Sequence, residues 1–134
     1  MTAGNELAGV VTGVGAGVTR FAPGDRVFAR VNKRALGAFA DYAVVEEDLL
    51  AVMPARLDFR HAAGVPLAGL TALQALRDLL GVGPGGKLYI SGGSGGVGTM
   101  AIQIAKWLGA EVATTASGRG ADLVRELGAD HVID

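Results

Sequence analysis

The pattern of apolar and polar positions changes near residue 57. Before that point, short apolar runs are separated by turn residues such as Pro23-Gly24-Asp25, which predicts β structure. We expect four strands, over residues 7–14, 26–31, 39–45 and 49–53. After that point apolar residues recur at helical spacing, so the second part of the chain is predicted to mix helices with strands.

Residues 58–81 are predicted to form two helical segments. Asp58 suits the N-cap of a short helix, and Gly64-Val65-Pro66 interrupts that helix. A second helix follows and is expected to end at Gly81. Its buried face is expected to be one apolar stripe, formed by Leu70, Leu73, Leu76 and Leu80.

Residues 87–134 follow the order strand, helix, strand, helix, strand. The strands are expected at 88–90, 111–116 and 131–134. Parallel strands joined by crossover helices make up mononucleotide-binding units, so this part predicts the first half of a Rossmann doubly wound parallel sheet. The buried face of its first helix is predicted from helical spacing to be Val97, Ala101, Ile104, Ala105 and Leu108.

A glycine-rich segment, Gly93-Ser94-Gly95-Gly96-Val97-Gly98, joins the first of these strands to its helix. We expect Gly93 to allow the tight turn, Gly95 to let the backbone approach a pyrophosphate, and Gly98 to bring the helix close to the strand. The N–H groups at the start of the helix then face the phosphates, which predicts a bound dinucleotide. Residues 13–17 are also glycine-rich, but no helix follows them, so they are predicted to form a hairpin turn.

The end of the second strand of this unit indicates which dinucleotide to expect. NAD-selective sites place Asp or Glu there to hold the ribose 2′-hydroxyl, whereas this chain has Ser117 and Arg119. A hydroxyl and a guanidinium can bind a 2′-phosphate, which favours NADP over NAD. Two other interpretations remain open: Ser117 as a helix N-cap, and Arg119 as a solvated charge in the first helical turn.

Composition excludes several classes of function. The 134 residues carry a formal net charge of −1, so nothing suggests the basic face that nucleic acid or an anionic membrane requires. The absence of cysteine excludes disulfides and a thiolate metal site among these residues. No apolar run reaches the roughly 18 residues of a membrane span, and the first residues lack a secretion signal. We therefore expect a cytoplasmic protein.

Taken in order, the motifs resemble the medium-chain dehydrogenase/reductase superfamily, and within it the zinc-independent quinone oxidoreductase (zeta-crystallin-like) branch. Gly4-Asn5-Glu6-Leu7-Ala8-Gly9 is similar to the GHE-x-x-G signature of zinc alcohol dehydrogenases. The signature histidine, a zinc ligand in those enzymes, is Asn5 here, and an amide is a poor zinc ligand. The resemblance therefore implies that no metal is bound and that Glu6 is a structural carboxylate. Further matching motifs are Pro23-Gly24-Asp25-Arg26-Val27, Phe39-Ala40-Asp41-Tyr42, Ala68-Gly69-Leu70-Thr71-Ala72 and Leu127-Gly128-Ala129-Asp130.

The resemblance also implies a domain organisation. Residues 1–57 correspond to part of a GroES-like β-barrel substrate domain, and residues 58–134 to a linking helix and the first half of the NADP-binding Rossmann domain. Family members have further strands on both sides, so the chain is expected to be a central fragment. The strand at 88–90 would then lack one neighbour, and an open sheet edge favours self-association into a homo-oligomer.

The activity that the resemblance implies is hydride transfer from NADPH to a small electrophilic substrate, a quinone or an electron-poor alkene, without zinc. Thr71 would help to position the cofactor. No catalytic residue is assigned, because Tyr42 is expected to pack on a sheet and His61 and His131 to be surface or capping residues. Two alternatives remain open: a non-catalytic dinucleotide-binding fragment, and an enoyl reductase acting on thioester-linked alkenes.

Overall fold

The structure is a computed structural model that describes residues 2–32 and 37–134. Its contacts divide the chain into two compact units, Met1–Leu67 and Ala68–Asp134. The polar and basic composition of residues 32–37 predicts a surface loop, most of which lies outside the described residues. The assignment of residues 1–57 and 58–134 to parts of two domains stays a prediction.

The first unit contains a three-stranded antiparallel sheet. Its strands are β1 (Glu6–Val10), β2 (Arg26–Arg30) and β3 (Leu50–Val52), in the order β1-β2-β3, and a short 3-10 turn (Glu47–Leu49) precedes β3. Three of the four predicted strands are therefore confirmed, and the glycine-rich residues 13–17 lie in the connection of the β1–β2 hairpin. Helix α1 (Phe59–Ala63) follows, with the predicted Asp58 N-cap accepting a hydrogen bond from the His61 N–H at 2.8 Å.

The fourth predicted strand, over residues 39–45, is wrong. The side chains of Phe39, Tyr42 and Val44 are 79%, 78% and 104% exposed, and no described strand pairs with this segment. At its first residue, the Phe39 N–H donates to Ala3 O at 2.9 Å, shortly before β1 begins. Apolar alternation stabilises a strand only where a neighbouring strand accepts its hydrogen bonds, so the pattern alone was insufficient. The prediction that Tyr42 packs on a sheet is therefore also wrong.

The second unit contains the predicted parallel sheet. Helix α2 (Pro66–Leu73) continues as a π-helical segment (Gln74–Leu79), and the strands and helices after it alternate. The strand order β4-β5-β6 is parallel throughout, which confirms the predicted Rossmann half. Its elements are β4 (Lys87–Ile90), α3 (Gly96–Trp107), β5 (Glu111–Thr115), α4 (Arg119–Glu126) and β6 (His131–Ile133).

The predicted leucine stripe is wrong in its register. Leu76 and Ala72 are buried, whereas Leu70 is exposed and Leu80 is 65% exposed. The π-helical segment bonds the Leu80 N–H to Ala75 O at 3.0 Å, one residue further back than in an α-helix. The extra residue in the turn rotates the last leucines away from the core.

The predicted face of α3 is correct only in part. Ala101 and Ala105 are buried as expected, and Gly98 and Ile102 complete the buried face. Val97, which was expected on that face, is exposed near the start of the helix. The core of this unit therefore forms around Ile102, together with Val112 of β5 and Val124 of α4, all three fully buried.

Asp130 fixes the position of β6 relative to β5 and α3. Its carboxylate accepts hydrogen bonds from Lys106 Nζ at 2.7 Å and from the Val112 N–H at 2.7 Å. The Lys106 ammonium, and after it the Val112 N–H, hold the pKa of Asp130 below its usual value. Asp130 therefore stays ionised to lower pH than a free aspartate and ties three elements together just before β6 begins.

Within residues 2–32 and 37–134, every helix is too short or too polar to cross a lipid bilayer.

Candidate dinucleotide-binding site

The turn between β4 and α3 is held in place by the last residues of β5. The Gly92 N–H donates to Thr115 Oγ1 at 2.9 Å, and the Gly93 N–H donates to Thr115 O at 3.0 Å. One residue earlier, Thr114 Oγ1 donates to Ile90 O at 2.7 Å, at the end of β4. Hydrogen bonds from β5 therefore fix both the end of β4 and the beginning of the turn.

Three glycines of the turn have different structural roles. Gly92 has φ +69°, in the left-handed region, so the conformational freedom that was predicted for Gly93 belongs to Gly92. A Cβ on Gly93 would overlap Thr114 Oγ1 and lie 3.0 Å from Ile102 Cδ1, so Gly93 is needed for close packing. A Cβ on Gly98 would lie 2.8 Å from both Cα and O of Gly93, which confirms that Gly98 lets α3 approach the turn.

The backbone amides of the segment divide into two groups. Those of Gly92, Gly93 and Gly95 bond to acceptors inside the fold, the last to Gly92 O at 3.0 Å. The first hydrogen bond of α3 runs from the Thr99 N–H to Gly95 O at 2.9 Å, and the Gly95 N-cap has no side chain to act as an acceptor. The N–H groups of the first helical residues, 96–98, therefore have no acceptor within the helix, which makes this end of α3 suited to an anion.

A cleft of about 360 Å³ opens at the carboxyl ends of the three parallel strands. This is the edge of an open α/β sheet at which nucleotides bind. Of the predicted site residues, the cleft brings together Ser94 and Ser117, and it is lined by Gly92, Ser94, Thr115, Ala116, Ser117, Ile133 and Asp134.

The start of α4 places the two residues that were expected to bind a 2′-phosphate. The N-cap is Gly118 at φ +52°, and no side chain caps the helix, so the interpretation of Ser117 as the cap is wrong. Ser117 is exposed in the cleft, and Arg119 is the exposed first residue of α4. Among the described residues Arg119 forms no ion pair, whereas Asp122 pairs with Arg125 at 3.0 Å. The Arg119 guanidinium therefore has no competing carboxylate in the described part of the chain.

Besides Gly92, several residues of the site were not identified from the sequence, among them Thr115, Asp134 and Gly120. Thr115 supplies two acceptors to the turn, and Asp134 brings a carboxylate to the cleft. Gly120 lets α4 start against the turn, because a Cβ there would lie 2.8 Å from Ser94 Oγ. The sequence did offer a signal for Gly120. Glycine is unfavourable in a helix, so a glycine in the first turn indicates that something packs closely against it.

Other candidate residues lie outside the cleft. Thr71 is exposed on α2 and does not line it. Glu6 Oε2 accepts the Leu67 N–H at 2.7 Å at the start of α2, which confirms its structural role. His61 Nδ1 and Asp58 Oδ1 are 2.8 Å apart, and the His61 backbone N–H and ring hold the pKa of Asp58 below its usual value. Within the described residues, no three His, Cys, Asp or Glu residues are grouped as a metal site would require.

His131 belongs to a surface charge group at the other end of the sheet. Its Nε2 lies 2.8 Å from Glu111 Oε1, and Lys87 Nζ lies 3.4 Å from Glu111 Oε2. The hydrogen bond from His131, followed by that from Lys87, holds the pKa of Glu111 below its usual value. His131 is thus a surface residue, as expected, and lies at the amino end of β6, away from the cleft.

Two family models match the chain. The alcohol dehydrogenase GroES-like domain matches residues 1–55, and the zinc-binding dehydrogenase family matches residues 96–134. The second match begins at the first residue of α3 and includes β5, α4 and β6, so it covers most of the cleft.

Individual relatives match almost the whole chain. An NADPH-dependent alkenal/one oxidoreductase of Arabidopsis thaliana is 44% identical over 98% of this chain and 36% of its own length. The structure of Escherichia coli quinone oxidoreductase complexed with NADPH is 36% identical, with a TM-score of 0.87 over 98% of this chain and 40% of that one. The CurK enoyl reductase structure is 31% identical, with a TM-score of 0.92 over 100% of this chain and 40% of that one.

The chain spans less than half the length of each curated relative compared, from 3% to 42%.

The close approach of α3 to the turn can be tested by substituting glycines within the same helix. We expect Gly98→Ala to destabilise the protein by about 1–3 kcal/mol, because the new Cβ meets backbone that must shift. Gly96→Ala is the control, since a Cβ there meets nothing within 4 Å, and we expect a change within about 0.5 kcal/mol. Urea unfolding monitored by circular dichroism measures both; equal effects would contradict the packing described for Gly98.

Proposed function

Because this chain belongs to the medium-chain dehydrogenase/reductase superfamily, we propose that it binds NADPH for the reduction of a quinone or an activated alkene. The proposal rests on the backbone amides of the glycine turn, of which some are hydrogen-bonded within the fold and others have no acceptor within the helix. β5 holds the first part of the turn, and the N–H groups at the start of α3 are left for a diphosphate.

The residues present fit the diphosphate of a dinucleotide. A Cβ on Gly96 would meet nothing within 4 Å, and a Cβ on Gly95 would meet only Gly92 O, at 3.3 Å. Phosphate oxygens can therefore approach this backbone closely. We assign the diphosphate to the glycine segment, formed by Gly93, Ser94, Gly95, Gly96, Val97 and Gly98. Within it, Gly93 and Gly98 act by packing, and the amides of residues 96–98 act as donors.

We assign the 2′-phosphate to Ser117 and Arg119. Ser117 lies in the cleft at the end of β5, where the adenosine ribose of a Rossmann ligand is expected, and Arg119 follows two residues later. A hydroxyl and a guanidinium both donate hydrogen bonds to phosphate oxygens. The NADPH named for the Arabidopsis relative and for the E. coli structure supports the same cofactor.

When bound, NADPH supplies the hydride for the reduction of an electrophilic acceptor. The residues of this chain bind and orient the cofactor, and no proton donor is assigned. We propose that Thr71, on the exposed side of α2, helps to position the cofactor. A reaction without zinc is supported by Asn5 at the place of the zinc-ligand histidine and by the lack of cysteine among the 134 residues.

We further propose a homo-oligomer and a cytoplasmic location. Among the described strands, β4 pairs only with β5, so its other edge is open to a further strand. The balanced charge, −1 over 134 residues, gives no reason to propose nucleic acid as a partner. The Arabidopsis relative is named as chloroplastic.

A second candidate function is enoyl reduction of thioester-linked alkenes, which the likeness to the CurK enoyl reductase favours. A third is dinucleotide binding without turnover. All three use the same cofactor site. The two reductases differ in what accepts the hydride, and the third candidate transfers none.

The activity is tested by following the consumption of NADPH with each of two acceptors and with no acceptor. We expect the chain to oxidise NADPH when a simple naphthoquinone is added and not when the acceptor is omitted. Faster turnover with a crotonyl thioester than with the quinone would favour the enoyl reductase. NADPH binding without any acceptor-dependent consumption would contradict catalysis and leave the binding function.

The choice of cofactor is tested by calorimetric titration with NADPH and NADH. We expect Arg119→Ala and Ser117→Ala each to weaken NADPH binding roughly tenfold, because a charge-assisted hydrogen bond is lost, and to leave NADH binding unchanged. The control is Asp134→Asn, which removes the side-chain carboxylate of a residue that lines the cleft. Equal binding of the two cofactors by the wild type, or a loss of NADH binding in Asp134→Asn, would contradict the preference for NADP.

A further inference from the structure

Thr115 makes two hydrogen bonds to the glycine turn, one through its side chain and one through its backbone. Its Oγ1 accepts the Gly92 N–H at 2.9 Å, and its carbonyl accepts the Gly93 N–H at 3.0 Å. These are consecutive residues at the entrance of the turn. Thr115 also lines the cleft.

The neighbouring Thr114 has a purely structural role, and comparison with it shows what is different about Thr115. Successive side chains of a strand point to opposite faces, so the two threonines face different surroundings. Thr114 is fully buried, and its hydroxyl donates to Ile90 O at 2.7 Å, which closes the β4–β5 pairing. The hydroxyl of Thr115 bonds only to the turn among the contacts described, and it lies on the cleft side.

The segment that Thr115 restrains would otherwise have wide conformational freedom. Gly92 is exposed and has φ +69°, and glycines follow it at 93, 95 and 96. Such a sequence loses much conformational entropy when it is ordered, so each hydrogen bond that fixes it lowers the cost of forming the anion site. Without the Thr115 hydroxyl, the Gly92 N–H would have to turn toward water or the cleft.

We propose that Thr115 is a positioning residue for the diphosphate: its hydroxyl withdraws the Gly92 amide from the cleft and presets the turn, so that the first amides of α3 face the ligand. The inference rests on the proposed dinucleotide site and adds a residue that neither the glycine motif nor the 2′-phosphate contacts include. Its effect should be confined to ligands that contain the diphosphate.

The test compares two substitutions and two ligands. Thr115→Val keeps the shape and the strand preference of threonine but cannot accept a hydrogen bond, whereas Thr115→Ser keeps the hydroxyl. The ligands are NADPH and adenosine 2′-monophosphate, which carries the 2′-phosphate but no diphosphate. Both are titrated into the full chain by calorimetry, with the weaker ligand measured by competition.

We expect Thr115→Val to raise the dissociation constant of NADPH roughly three- to tenfold, which is the size of one hydrogen bond. Adenosine 2′-monophosphate should bind the variant as it binds the wild type, and Thr115→Ser should restore NADPH binding. Equal losses for both ligands would show general damage to the unit and overturn the proposal, as would no loss for either. Failure of the wild type to bind NADPH at all would instead refute the proposed function.

Amide hydrogen exchange tests the same contact without relying on a variant. In the folded wild type the Gly92 amide should exchange at least tenfold more slowly than an unbonded exposed amide, because it is bonded to Thr115 Oγ1. If Thr115→Val does not fold, this measurement and the Thr115→Ser titration still decide the question. Free exchange of the Gly92 amide in the wild type would overturn the proposal.

Discussion

The hydrogen bonds between the end of β5 and the β4–α3 turn are the constraint on which the second unit depends. Thr114 closes the strand pair through Ile90 O, and Thr115 accepts the amides of Gly92 and Gly93. Because β5 is the central strand of the three, these bonds tie the turn to the most buried part of the sheet. The start of α3 is thereby fixed relative to the cleft.

Close packing completes this arrangement. Gly93 lies against Thr114 and Ile102, and Gly98 lies against Gly93, so strand, turn and helix meet with no room for additional side-chain atoms. On the other side, Gly120 brings α4 against Ser94. The expected diphosphate and 2′-phosphate sites are thus neighbouring parts of one closely packed unit.

The sequence predicted the alternation of elements in this unit because glycine turns and apolar periods are local signals. It assigned the tight turn to Gly93, whereas the left-handed residue is Gly92, and it missed Thr115 because a hydrogen bond across 23 positions leaves no local pattern. The predictions of the leucine stripe after α2 and of a strand at 39–45 were wrong for a related reason. Helix register and strand pairing are decided by neighbours that are distant in sequence.

We propose that the amides at the start of α3 receive the diphosphate while those of Gly92 and Gly93 remain bonded to Thr115. Amide NMR during a titration with NADPH tests this arrangement. We expect large shifts for the amides of residues 96–98 and continued slow exchange at Gly92 and Gly93. Saturable binding that leaves the amides of residues 96–98 unshifted would contradict it.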